Sequence, residues 1–291
     1  MRYYGTVIRP PSEADSYILQ VTYGCSHNQC TFCGTYLDKP FQVRSPDDVR
    51  QDIALARSCL PHTRRVFLAD GNALVLGMRR LVAILDELVA AFPDLQRVSA
   101  YANARDLLQK RPDDLAQLRE RGLRLVYLGL ESGHDEVLRR INKGATAGEM
   151  VEAVQHAQAA GIRVSVIGLL GLGGPELSAA HAEATGRVVS AMDPRYLSLL
   201  TLMLVPGTPL HRQWREGTFR LLEPEALLSE LHQIILHLNG LSGCIFRTNH
   251  ASNYLPLAGT LPKDKPRLLE TLETAISRGR AVLRPEAWRA L

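Results

Sequence analysis

The sequence has 291 residues, 46% of them hydrophobic and 22% charged, with a net charge of +4. These values lie near soluble globular averages, and such a chain can bury a core without disulfides, as one large α/β domain or two ordinary ones. The mild basicity permits a nucleic-acid partner such as tRNA but does not favour one, because the charges are scattered and no dense basic run occurs.

The N-terminal stretch MRYYGTVIRPPSEADSY lacks the apolar segment of a signal peptide. No apolar run reaches the ~20 residues that a bilayer span needs. The expectation is a cytoplasmic chain with no membrane partner, whose thiols stay reduced.

Short apolar runs predict strands over 17–22, 65–69, 98–101, 125–130, 164–169 and 197–204. Helical patterns fall between and beyond them, over 45–58, 78–92, 112–121, 135–141, 147–160, 176–191, 223–238 and 263–278. Ser45-Pro46-Asp47-Asp48 supplies a cap, a proline at the first helical position and acids for the helix dipole. Gly122 and Gly161 follow helical stretches, where a terminating glycine belongs. Alternating strands and helices imply right-handed βαβ units, arranged as an open doubly wound sheet or an incomplete TIM-like barrel. After residue 204 the alternation stops, Val205-Pro206-Gly207-Thr208-Pro209 reads as a loop, and 246–262 reads as a polar irregular stretch. The expected organisation is a core over 1–210 with a C-terminal extension over 211–291.

Of five cysteines, Cys25, Cys30 and Cys33 fall within one short loop after the first strand, while Cys59 and Cys244 stand alone. Soft thiolates bind zinc or iron–sulfur clusters. A structural zinc site closes with four ligands, and neither Cys59 nor Cys244 has a Cys or His partner at such spacing. Three thiolates match a cubane with one open iron, and an open iron can bind a small molecule. His27 as a fourth ligand keeps a zinc-stabilised binding protein open as the non-enzymatic alternative. Loop ordering is the expected role of His27, and burial as small apolar groups that of Cys59 and Cys244.

The loop resembles the signature of the radical S-adenosylmethionine (SAM) superfamily, Cys-x3-Cys-x-aromatic-Cys after the first strand of a partial TIM barrel. Phe32 precedes Cys33 as that pattern requires, while four residues instead of three separate Cys25 from Cys30. The stretches Gly24 to Tyr36 and Asp70 to Leu74 are similar to the group labelled oxygen-independent coproporphyrinogen III oxidase-like. The resemblance implies an α/β fold with a partial (β/α)6 TIM-like barrel. It also implies a [4Fe–4S] cluster on Cys25, Cys30 and Cys33, with SAM on the open iron and an external one-electron donor such as flavodoxin or ferredoxin.

Further landmarks follow in superfamily order. Asp70, Gly71 and Asn72 stand where a Gly-Gly-Glu-like turn meets the amino group of SAM. Tyr101, Asn103 and Arg105 put polar groups at the third strand's end. Glu131 and Ser132 are similar to segments that reach the ribose and carboxylate, with Arg140 and Lys143 as candidate cations. Ile167 and Gly168 match the strand against which adenine packs, and Val205 the backbone at the adenine edge. The polar stretch after residue 246 holds Arg247, His250 and Tyr254, which read equally as substrate-side groups closing the site or as loop-ordering residues. A small-molecule substrate is expected, with RNA modification as the competing radical SAM reading.

Overall fold

The computed structural model describes residues 2–290. By internal contacts the chain separates into two units, the first comprising 1–28, 35–128 and 153–164, the second 29–34, 129–152 and 165–291.

The first unit opens with β1 (Tyr17–Gln20) and a small antiparallel pair, β2 (Thr22–Tyr23) with β3 (Gln42–Val43). Then follow α1 (Pro46–Cys59), β4 (Arg65–Ala69), α2 (Met78–Ala91), β5 (Arg97–Ala102), α3 (Ala104–Leu108) and α4 (Pro112–Glu120). β6 (Leu123–Glu131) runs from this unit into the second. β1, β4, β5 and β6 are neighbours and parallel, with Tyr17 opposite Val66, Arg65 opposite Arg97 and Ser99 opposite Leu125. The near-continuous apolar character of these strands follows from burial on both faces: Val66, Phe67, Leu68 and Ala69 are all buried. Ser45 caps α1, its hydroxyl accepting from the Asp48 amide, as its sequence predicts. The buried stripe Leu81, Ile84, Leu85 and Leu88 recurs at helical spacing on α2, which packs against α1 and α4.

The second unit contains α5 (Asp135–Arg140), the start of α6 (Ala147–Ala159), β7 (Arg163–Leu170), α7 (Gly174–Met192) and β8 (Tyr196–Thr201). It continues through α8 (Pro209–Arg215), α9 (Pro224–Leu236), β9 (Cys244–Arg247), β10 (Ala258–Leu261) and α10 (Lys265–Arg278). β7 and β8 are parallel, β9 is parallel to β8, and β10 is antiparallel to β9.

Several expectations are corrected. The irregular stretch expected over 246–262 begins and ends in strands, with Cys244 opposite Leu261. In β9 the alternation of buried Cys244 and Phe246 with half-buried Ile245 and Arg247 is a strand signal, but four residues are too few to stand out. β8 ends at Thr201, short of the expected 204. Pro209 starts a helix, capped by the Thr208 hydroxyl, where only a loop was expected. Cys59, expected to be buried, is exposed at the end of α1, whereas Cys244 is buried and its thiol is pushed up to about 12 by desolvation. No helix among the described residues is long and apolar enough to cross a membrane.

Candidate active site

All three loop cysteines lie outside disulfides and are half-buried, Cys25 in the first unit and Cys30 and Cys33 in the second. Among the described residues no group of three or more His, Cys, Asp or Glu is gathered so as to hold a metal ion. The fit to a cluster therefore rests on the donor set, three soft thiols free of disulfides, and on how the flanking backbone is held.

In the first unit, the approach to Cys25 is fixed by a buried charge pair. The Asp70 Oδ2 accepts from Lys39 Nζ at 2.9 Å, from Gln20 Nε2 at 3.0 Å and from the Gly24 amide at 3.2 Å. Lys39 and Asp70 are both essentially inaccessible, and Lys39 also donates to the Thr6 carbonyl at 2.6 Å. Gly24 has φ +67°, and a Cβ there would lie 2.4 Å from the Lys39 carbonyl oxygen, so only glycine serves before Cys25. Asp70, expected beside the amino group of SAM, thus has one oxygen saturated by the loop, while its Oδ1 is buried without a partner. Asn72 is likewise engaged, its side chain donating to Ser26 Oγ at 2.9 Å and to Asp106, and accepting from the Asn103 amide at 3.3 Å.

Gly71 faces the cluster loop directly. A Cβ at this position would stand 2.8 Å from the Cys25 Cβ and 2.7 Å from the Tyr36 ring. Gly71→Ala is expected to displace Cys25 and to lower iron incorporation on reconstitution several-fold, an effect of ~1 kcal/mol or more. Iron and sulfide assay of the reconstituted variant checks this; wild-type loading would show that the contact is compliant.

In the second unit, the 29–34 segment is stitched at both ends. The Thr31 amide donates to the Ile141 carbonyl and its carbonyl accepts from the Leu210 amide, both at 2.9 Å. Asn142 donates to the Gln29 carbonyl at 3.3 Å, and Phe32 packs against the apolar cluster of Val137, Leu138, Ile141, Leu172 and Leu202. Val205 lies against Gly34, leaving no room for a side chain there.

The strand ends carry the remaining expected residues. Glu131, at φ +64°, pairs with Lys143 at 3.0 Å in a largely buried contact. Arg140 is instead exposed and bonded to Glu136. Ser132 is fully buried, its hydroxyl accepting from the His134 amide and contacting His181 Nδ1 at 2.8 Å. Ile167 is half-buried on β7, and Gly168 faces Leu199. Tyr101 meets Phe67 edge-on, with ring centroids 5.1 Å apart, and burial raises its phenol pKa. Asn103 precedes α3 and Arg105 is exposed on it; this helix escaped the sequence reading because it is a single turn with no apolar period.

Arg247, His250 and Tyr254 each have structural partners. Arg247 donates to the Phe246 carbonyl at 2.8 Å. Tyr254 donates to Glu286 and lies 4.1 Å from the Arg289 guanidinium, centroid to carbon. His250 Nδ1 accepts from the Ser252 amide at 3.1 Å, which places the neutral ring's proton on Nε2. Burial, reinforced by Arg284, lowers the His250 pKa and keeps that ring neutral near pH 7. Asn253 closes the stretch on β8, accepting from Thr201 at 2.8 Å and donating to the Leu199 carbonyl at 2.9 Å. Sequence reasoning did not find Lys39, His181, Thr185 or Glu230, each distant in the chain from the group it supports.

The radical SAM superfamily pattern matches residues 19–184, more than half of the chain. The chain belongs to the radical SAM superfamily. Membership implies a [4Fe–4S] cluster and SAM. Among superfamily structures, coproporphyrinogen III oxidase (HemN) from Escherichia coli matches with a TM-score of 0.60 at 18% identity, over 78% of this chain and 53% of that one. Methylornithine synthase (PylB) matches with a TM-score of 0.51 at 18% identity, over 92% of this chain and 85% of its own. These likenesses show the fold, the α/β partial TIM barrel of the superfamily. In sequence, the chain is 27% identical over 136 residues to an uncharacterized protein of Methanocaldococcus jannaschii, covering 46% of this chain. It is 25% identical over 196 residues to a protein of Pyrococcus horikoshii named as an uncharacterized methyltransferase, covering 66% of this chain. The chain spans only 42% and 40% of the lengths of these two relatives.

Proposed function

We propose that this chain is a radical SAM enzyme acting on a small-molecule substrate, with residues 1–210 as the catalytic core and 211–291 as an extension closing it. The observation that carries the reading is the loop of three cysteines outside disulfides after β1, whose flanks are held by backbone bonds and by the Lys39–Asp70 pair. Cys25, Cys30 and Cys33 would hold the [4Fe–4S] cluster. Held there, the cluster and SAM would supply one-electron reductive cleavage of the sulfonium and, through the 5′-deoxyadenosyl radical so formed, hydrogen abstraction from the substrate.

The residues around that chemistry bind, orient and exclude water. Backbone groups of Asp70, Gly71 and Asn72 are the candidates for the SAM amino group, because the Asp70 Oδ2 and the Asn72 amide are already engaged. Lys143, held by Glu131, is better placed than the exposed Arg140 to supply a cation for the SAM carboxylate. Ser132, Tyr101, Asn103 and Arg105 complete the polar strand ends; Ile167, Gly168 and Val205 offer an apolar bed and backbone edge for adenine. His250, neutral with Nε2–H as a donor, is the substrate-side group that can hold or pass a proton, with Arg247 for an anionic group and Tyr254 beside it. The electron comes from an external donor such as flavodoxin or ferredoxin, and a cytoplasmic location suits both thiols and donor.

Anaerobic reconstitution, followed by SAM and dithionite with 5′-deoxyadenosine quantified by mass spectrometry, tests the proposal. A brown protein that forms 5′-deoxyadenosine is expected. A colourless, zinc-loaded protein that forms none would overturn it.

A further inference from the structure

A line of mostly buried polar groups in the second unit runs from helix α9 to the end of β6, and the steps above do not use it. Ser178, His181 and Thr185 lie at i, i+3 and i+7 on α7, hence on one face of that helix. Two of them reach the turn after β6. His181 Nδ1 meets the Ser132 hydroxyl at 2.8 Å, and the Thr185 hydroxyl accepts from the Gly133 amide at 2.9 Å. The third reaches back toward α9, where the Ser178 hydroxyl donates to Glu230 Oε2 at 2.5 Å. Glu230 Oε1 in turn accepts from the Gly171 amide, just past β7, at 2.6 Å.

All but the half-buried Ser178 are dry: Ser132, His181, Thr185 and Glu230 are 0%, 0%, 1% and 2% exposed. Glu230 Oε1 also stands 3.6 Å from His181 Nε2. This contact is not an ion pair, because burial lowers the His181 pKa to about 4 and raises that of Glu230 to about 7. Close approach of α7 and α9 makes the line continuous: at Gly186 a Cβ would lie 2.5 Å from the His237 Cβ. Among the described residues His181 Nε2 has no hydrogen-bond partner; the bonds that the other groups make satisfy the backbone of two strand-end turns. The β6 turn needs such support, since Glu131 is held at φ +64° and the Ser132 amide bonds only two residues back, to the Leu130 carbonyl.

We propose that His181 and Glu230 are positioning residues, which lock the turns after β6 and β7 in the shape that receives SAM. His181 acts on the turn carrying Glu131 and Ser132, and Glu230 acts from the extension on the turn at Gly171. This role rests on the radical SAM reading and gives α9 a part in it without touching the reacting atoms.

The test compares His181→Phe, which keeps a ring and loses the bond to Ser132, with His181→Asn, whose amide can replace Nδ1. Glu230→Leu and Glu230→Gln form the parallel pair. The first readout needs no cofactor: amide hydrogen exchange at Gly133, His134 and Gly171 in the apo-protein. The second is SAM affinity of the reconstituted protein, followed by the change SAM causes in the reduced cluster's EPR spectrum. Exchange at Gly133 and His134 in His181→Phe, and at Gly171 in Glu230→Leu, is expected to rise about tenfold or more. SAM affinity should fall about tenfold at unchanged iron content, with both effects largely restored in His181→Asn and Glu230→Gln. Wild-type exchange and affinity in the two disruptive variants would overturn the role, as would a loss of thermal stability with unaltered SAM affinity. A wild-type protein that takes up the cluster but gives no SAM-dependent signal would sink the underlying reading, a result distinct from indifferent variants beside a responsive wild type.

Discussion

Cys30→Ala is expected to remove the cluster: iron after anaerobic reconstitution should drop from about four per chain to near the blank, and 5′-deoxyadenosine formation should fall at least about a hundredfold. The reason is that Cys25, Cys30 and Cys33 would each supply a separate ligand to the proposed cluster, so the other two would not replace the one lost. Cys33→Ala should behave alike. Cys59→Ala is the internal control, because Cys59 is exposed at the far end of α1 and should leave both quantities unchanged. The fold should survive in every case, since the 29–34 segment is held by the Thr31 backbone bonds and by Phe32 in the apolar cluster. Iron analysis and product quantification decide it; a Cys30→Ala protein with full iron content would remove that cysteine from the ligand set.

Asp70→Ala should cost about 3–5 kcal/mol of unfolding free energy, the scale of leaving a buried charge without its partner. Lys39 would lose its carboxylate at 2.9 Å, and Gln20 and the Gly24 amide would lose their shared acceptor. Asp70→Asn keeps an oxygen for these donors and should cost less. Replacing Lys39 by Met and Asp70 by Leu together removes both charges and should recover much of the loss, because a matched apolar pair has no desolvation penalty. Urea unfolding of the four proteins gives the energies, and iron uptake of the single variants reports the effect on the Cys25 loop. An Asp70→Ala protein within about 1 kcal/mol of wild type would show that the pair is not a structural clamp.

The Asp70 environment also marks where sequence reading reaches its limit. The resemblance to the superfamily's turn after the second core strand placed Asp70 beside SAM. Its Oδ2 is held by Lys39, Gln20 and Gly24, which come from three separate segments of chain. No local pattern in a sequence encodes such a convergence.

What the sequence determined by itself is whatever depends on neighbours along the chain. The core strands and helices were legible from apolar runs and 3.6-residue periods, and the start of α1 from Ser45-Pro46-Asp47-Asp48. The loop of Cys25, Cys30, Phe32 and Cys33, read together with the later strand-end landmarks in their order, pointed to the superfamily that residues 19–184 match. Only the tertiary structure decided the rest. It showed Arg140 spent on Glu136 and Lys143 on Glu131, β9 and β10 where polarity predicted irregular chain, His181 of α7 reaching the turn after β6 and Glu230 of α9 the turn after β7. The physical reason is burial: a short strand forms because a neighbour offers its open edge, and a buried polar side chain takes whichever partner the packed backbone presents. Neither is a property of the residue's own stretch of sequence.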